Sequence, residues 1–109
     1  IWYAADQDNG RQHSVFAPFF GIPAATINVT SRLAKISGSP VIFMSHFRDE
    51  SDCSWSVRLR RVEAYPTGDE IADATLMNRI IEREIRSHPA QYLWLHRRFK
   101  TMPDGTRKY

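Results

Sequence analysis

Residues 40–61 read Pro40-Val-Ile-Phe-Met-Ser-His-Phe-Arg-Asp-Glu-Ser-Asp-Cys-Ser-Trp-Ser-Val-Arg-Leu-Arg-Arg61, or PVIFMSHFRDESDCSWSVRLRR. Val41, Ile42, Phe43 and Met44 form a continuous apolar run, the pattern of a strand covered on both faces. The run ends at His46-Phe47-Arg48. Asp49 to Ser54 is polar, as in a hairpin turn. Trp55, Val57 and Leu59 then alternate with Ser56, Arg58 and Arg60, which predicts a half-exposed strand. Val62 and Ala64 stay in phase only if an extra residue sits near Arg60-Arg61, so a β-bulge is expected there. A hairpin is therefore predicted, and what flanks it sets the fold class.

Downstream, Pro66, Thr67 and Gly68 break the chain, and Asp69 to His88 reads as a helix. Ile71, Ala74, Met77, Ile81 and Ile85 fall on one stripe. Asp69 and Glu70 sit at its start and Arg83, Arg86 and His88 near its end, as the helix dipole prefers. Glu82 and Arg86 are spaced to pair. Pro89 ends it. Upstream, Ala24 to Ser37 predicts a second helix, with Thr26, Val29, Leu33 and Ile36 on one face and Gly38 as a left-handed cap. Val15 to Pro23 is greasy but carries Pro18 and Pro23, which argue for an irregular segment. Ile1 to Ala5 reads as a buried strand and Asp6 to Ser14 as a loop at its end. Strand, helix, strand, strand, helix is an α/β pattern. It predicts a mixed sheet with flanking helices and a crossover between the first two strands.

The 109 residues are 42% hydrophobic and carry a net charge of +3. That suits a folded chain with a modest preference for anionic partners. The lone cysteine, Cys53, excludes an internal disulfide. No apolar run approaches the roughly 20 residues that span a bilayer. No GxGxxG, P-loop or CxxC motif is present. His13 and His46 lack ligand-spaced neighbours and read as surface histidines. Asp6-Gln7-Asp8 fits two readings: an ordinary turn, or a ligand loop beyond a strand end. Gln91 to Thr101, QYLWLHRRFKT, sets Tyr92, Leu93, Trp94 and Leu95 beside His96, Arg97, Arg98 and Lys100. Arg forks bind phosphate, and Trp and Tyr favour membrane–water boundaries. A solvated basic helix end with a buried Trp gives the same pattern. No nucleic-acid partner is expected.

The stretches WYAADQDNGRQHSVFAPFFGIPAAT, SGSPVIF and PTGDEIADATLMNRIIEREIRSHPAQYLWLHRRFKTMPDG, with the closing Tyr109, resemble the C-terminal part of the lipid A biosynthesis lauroyl/myristoyl acyltransferases. The resemblance implies the C-terminal part of a glycerolipid-acyltransferase-like fold. It implies transfer of a fatty acyl chain from acyl carrier protein to a hydroxyl of a Kdo-lipid A precursor. It also implies a membrane surface at the cytoplasmic face of the bacterial inner membrane, and no cofactor or metal. Catalysis in the family uses a His-x4-Asp/Glu pair. No histidine here has an acid five positions on: His13 reaches Pro18, His46 reaches Ser51, His88 reaches Leu93 and His96 reaches Thr101. Residues 1–109 are thus expected to be the C-terminal portion of one acyltransferase domain, inactive alone, with the anchor and catalytic pair upstream. By the resemblance, Asp6 is a supporting catalytic acid, although Ala5 stands where proline is usual. Asp8 and Arg11 would face the polar acceptor. Phe16, Phe19 and Phe20 would line an acyl- or membrane-facing surface, and Pro40 matches a block of the wider superfamily. Arg97, Arg98 and Lys100 would meet lipid phosphates or stabilise packing. The alternative is a non-catalytic basic module binding anionic lipid or a protein.

Overall fold

The computed structural model describes residues 1–2 and 4–109. Strands β1 (Ser14–Phe19) and β2 (Ile22–Ile27) precede helix α1 (Val29–Ser37). Strands β3 (Ile42–Arg48) and β4 (Trp55–Arg61) precede helix α2 (Glu70–Ser87) and a 3-10 turn at Pro89–Gln91. The strands make two separate antiparallel ribbons, β1–β2 and β3–β4. The class is mixed α/β, as the element pattern predicts. Among the described residues there is no single mixed sheet with a crossover. Ile1, Trp2, Ala4 and Ala5 form no strand, and Tyr3 of that predicted strand lies outside the described residues.

The segment expected to be irregular is the β1–β2 hairpin, and its prolines explain how. Phe20-Gly21 makes the two-residue turn with φ of 49° and 76°, the positive pair that matches strand twist. Phe19 therefore pairs with Ile22 in a hydrogen-bonded position, and Pro18 faces Pro23 in a non-bonded one. Both missing N–H groups point to the outer edges, where no ladder bond is lost. The Pro18 carbonyl, also turned outward, accepts from Asn78 Nδ2 at 3.1 Å. Phe20 is held in its strained turn by Glu82, whose Oε1 accepts from the Phe20 N–H at 2.7 Å. Arg86 covers the ring at 4.9 Å. Glu82 and Arg86 thus both serve the hairpin, and their predicted mutual pair is replaced.

Residues 24–27, expected to be helical, close β2, so α1 begins only at Val29. Gly38 caps it at φ 65°, as predicted. Asp69 caps α2 by accepting from the Ile71 and Ala72 N–H groups. Met77, Ile81 and Ile85 of the predicted stripe are buried against Phe19, Ala24 and Val62, Ala74 is also buried, and Ile71 is exposed.

The β3–β4 register runs without a bulge from Ile42↔Arg61 to Arg48↔Trp55. Val62 is buried because it shares a face with Arg58 and Arg60, not with Trp55, Val57 and Leu59. The two arginines cover the core side with their stems. Arg60 Nη2 meets Glu84 Oε1 at 2.8 Å, and the Arg58 guanidinium lies 5.5 Å over the Phe47 ring. Trp55, Val57 and Leu59 point outward with Ile42 and Met44, all exposed. No helix among the described residues is long and apolar enough to cross a membrane.

Candidate functional site

An open groove of about 680 Å³ runs between β3 and the two helices. Leu33 and Ala34 of α1 line it with Met77, Ile81 and Ile85 of α2, Val41, and residues 42–47 of β3. Asp6, His46, Glu84, His88, Gln91 and Tyr92 bring polar groups to this apolar trough. Of the residues singled out in the sequence, Asp6 and Pro40 line it; Asp8, Arg11, Phe16, Phe19, Phe20, Arg97, Arg98 and Lys100 do not.

Asp6 is half-buried at one end of the groove, beside Tyr92 and Arg98. The Tyr92 hydroxyl is buried. Burial raises its pKa well above the usual phenol range, and the Asp6 charge adds to that rise. The phenol therefore stays protonated and offers a proton to an acceptor rather than a negative charge. Burial lowers the Arg98 pKa, against the pull of Tyr92, Asp6 and Asp8. Arg98 still remains charged, since guanidinium does not deprotonate in proteins. Asp6 thus has a protonated phenol and a fixed cation as neighbours.

Asp8 holds this corner together. It is 3% exposed. Its carboxylate accepts from the Gly10 N–H at 2.9 Å, the Thr101 N–H at 2.8 Å and the Thr101 hydroxyl at 2.9 Å. Its own N–H donates to His96 Nε2 at 3.1 Å. Burial opposes its ionisation, but the bonds from Gly10 and Thr101 and the charge of Lys100 outweigh that and hold its pKa below the ordinary 3.8. Arg11 ties the same loop to the far end of the chain, donating to the Met102 and Pro103 carbonyls and lying over Phe16 at 5.3 Å. The loop from Asp6 to Arg11 is thus clamped by residues about 90 positions away.

Arg98 is 2% exposed. Its guanidinium donates to the Ala25 carbonyl at 2.7 Å, to Thr26 Oγ1 at 3.0 Å and to Asn78 Oδ1 at 3.3 Å. It also lies 4.9 Å over Phe19. Phe19, 1% exposed, is core and offers no surface to a lipid. Arg97 projects into solvent with no side-chain partner among the described residues, and Lys100 is half-exposed beside it. Of the basic block, then, one arginine is internal and one is free. Trp94 is exposed yet anchored, its Nε1 donating to the Pro89 carbonyl at 2.7 Å.

Sequence reading missed Asn78, whose buried amide bridges Pro18, Thr26 and Arg98. A polar residue on the apolar face of a helix, one position after Met77, was the available signal. It also missed Gln91, treated below.

A family model described as bacterial lipid A biosynthesis acyltransferase matches residues 1–101. The lipid A biosynthesis palmitoleoyltransferase of Escherichia coli (strain K12) is 45% identical over 107 residues, covering 96% of this chain and 35% of that protein. The lauroyltransferase of the same strain is 38% identical over 107 residues, with 96% and 35% covered. Its myristoyltransferase is 29% identical over 105 residues, with 95% and 32% covered. The chain spans about a third of the length of these relatives.

Proposed function

Because the chain belongs to the bacterial lipid A biosynthesis acyltransferase family, we propose that it is the C-terminal portion of an enzyme that acylates a lipid A precursor. The full polypeptide transfers a fatty acyl chain from acyl carrier protein to a hydroxyl of a Kdo-bearing precursor at the cytoplasmic face of the inner membrane. The observation that carries this reading is the match across residues 1–101, the clamped Asp6 loop included. The acyl chain lies in the range that the relatives' names span, lauroyl, myristoyl or palmitoleoyl.

The His-x4-Asp/Glu pair belongs to the part of the enzyme outside these 109 residues. This part supplies Asp6, held at the groove's end beside Tyr92 and Arg98. Beside a general base, such a carboxylate orients the acceptor or its cationic neighbours. Asp8 acts on the site by fixing the loop that carries Asp6. Arg97, turned outward, and half-exposed Lys100 meet lipid phosphates, and Trp94 settles at the bilayer boundary.

The test uses the full-length enzyme with acyl carrier protein donors of the three chain types and a Kdo-lipid A precursor. Asp6→Ala should lower transfer at least about tenfold, roughly 1.4 kcal/mol of barrier, in protein that still unfolds cooperatively. Near wild-type transfer by Asp6→Ala would sink the role of Asp6. No transfer by the wild-type enzyme from any of these donors would sink the reading as a whole.

A further inference from the structure

Among the described residues, β3 has a free edge with a defined length. Val62 N–H donates to the Val41 carbonyl at 2.9 Å and Asp49 N–H to the Ser54 carbonyl at 2.8 Å. Those bonds fix the phase of the ribbon. Odd-numbered residues of β3 turn their backbone groups toward β4, and Ile42, Met44, His46 and Arg48 turn theirs away. At Arg48 the outward pair is already taken. Its N–H donates to Gln91 Oε1 at 2.8 Å, and its carbonyl accepts from Gln91 Nε2 at 2.9 Å. The side-chain amide of Gln91 thus imitates the peptide group of a neighbouring strand. Among the described residues, Ile42, Met44 and His46 keep three outward donor–acceptor pairs over about 13 Å, at roughly 3.3 Å per residue.

The groove lies along this edge, because Val41 and residues 42–47 of β3 line it in succession and no residue of β4 does. Its other walls are apolar side chains of both helices and the N-terminal residues Ile1, Trp2, Ala4 and Ala5. An edge that is unpaired among the described residues and flanked by exposed Ile42 and Met44 is an aggregation hazard that folded proteins cover. The chain also accounts for only 35% of the length of its 45%-identical relative.

We propose that a β-strand from the part of the full polypeptide outside these 109 residues pairs with the free edge of β3 at Ile42, Met44 and His46, and that Gln91 marks where the pairing stops. The added strand supplies main-chain bonds along the edge and apolar side chains to the groove. Asp6, at the end of the same groove, then lies at the seam between the two parts of the enzyme. The inference rests on the family membership and not on the chemistry assigned to Asp6.

Hydrogen exchange on the full-length protein tests it without any substitution. The amides of Ile42, Met44 and His46 should exchange at least about tenfold more slowly than unprotected strand-edge amides, on a par with those of Phe43 and Ser45. Fast exchange at the three even positions, with the odd ones protected, would overturn the proposal. Protection that grows with protein concentration would overturn it in favour of a second copy. Met44→Pro removes an outward N–H alone, which an open edge tolerates. It should lower the thermal midpoint of the full-length protein, and an unchanged midpoint counts against the pairing. Exchange is read whether or not the enzyme transfers acyl groups, so a failure of the activity reading leaves this result distinguishable.

Discussion

Replacing Arg98 by alanine separates lipid binding from structure within the basic block. The side chain is 2% exposed, so no headgroup can reach it without opening the fold. Its removal strips partners from the Ala25 carbonyl and Asn78 Oδ1, both buried. Each acceptor left unsatisfied costs about 1–3 kcal/mol. Thr26 Oγ1 suffers less, since it still donates to the Ala24 carbonyl and accepts from Asn78 Nδ2. Asp6 and Asp8 lose a buried counter-charge, and Phe19 loses the cation over its ring. Some of this is offset, because the wild-type guanidinium is itself desolvated. Breaking a buried, bonded charge in this way typically costs about 3–5 kcal/mol. Against a total of roughly 5–15 kcal/mol, that is a large share. Denaturant unfolding of the full-length protein, followed by tryptophan fluorescence, should show this loss for Arg98→Ala. Arg98→Lys should fall between, since an ammonium keeps the charge but not the fork. Arg98→Ala with wild-type unfolding and weakened binding to anionic vesicles would refute the reasoning.

Arg97→Ala should behave in the opposite way. Stability should change by less than about 0.5 kcal/mol, and vesicle binding should weaken more at low salt than at high salt, as surface charge requires. Asp8 links stability to pH. Its folded pKa lies below the ordinary 3.8, so its contribution is complete above that value and is lost as pH falls through the folded one. Asp8→Asn should destabilise at pH 7 and flatten the acid limb of the unfolding profile, which titration of both proteins would check.

The long helix was legible because its stripe, Asp69 cap and Pro89 stop all agree, and the structure keeps all but Ile71 of its apolar face. The β1–β2 hairpin was hidden by Pro18 and Pro23, whose harmlessness depends on register, and register follows from a turn that Phe20-Gly21 does not advertise. The second ribbon was read with the correct alternation but the wrong side. Trp55, Val57 and Leu59 look like a core face, yet Arg58, Arg60 and Val62 occupy it. Chain periodicity cannot choose between the faces of a ribbon, and here long arginine stems fill the inner one. At the candidate site, Asp6 and Asp8 were found together, but their opposite circumstances were not. Only the distant Thr101 and His96 decide that Asp8 is consumed by the fold while Asp6 faces the groove. The basic block hid a similar split, since adjacent arginines on an irregular segment point in opposite directions.

The clamp on the Asp6 loop has a consequence for synthesis on the ribosome. Asp8 waits for His96 and Thr101, Arg11 for Met102 and Pro103, and Ala25 and Thr26 for Arg98. Helices and hairpins can form as they emerge, but the loop carrying Asp6 cannot set until the QYLWLHRRFKT segment has been translated. A message truncated before Arg98 would yield a chain with its secondary structure largely in place and its acidic loop unfastened. Such a product is a candidate for proteolysis.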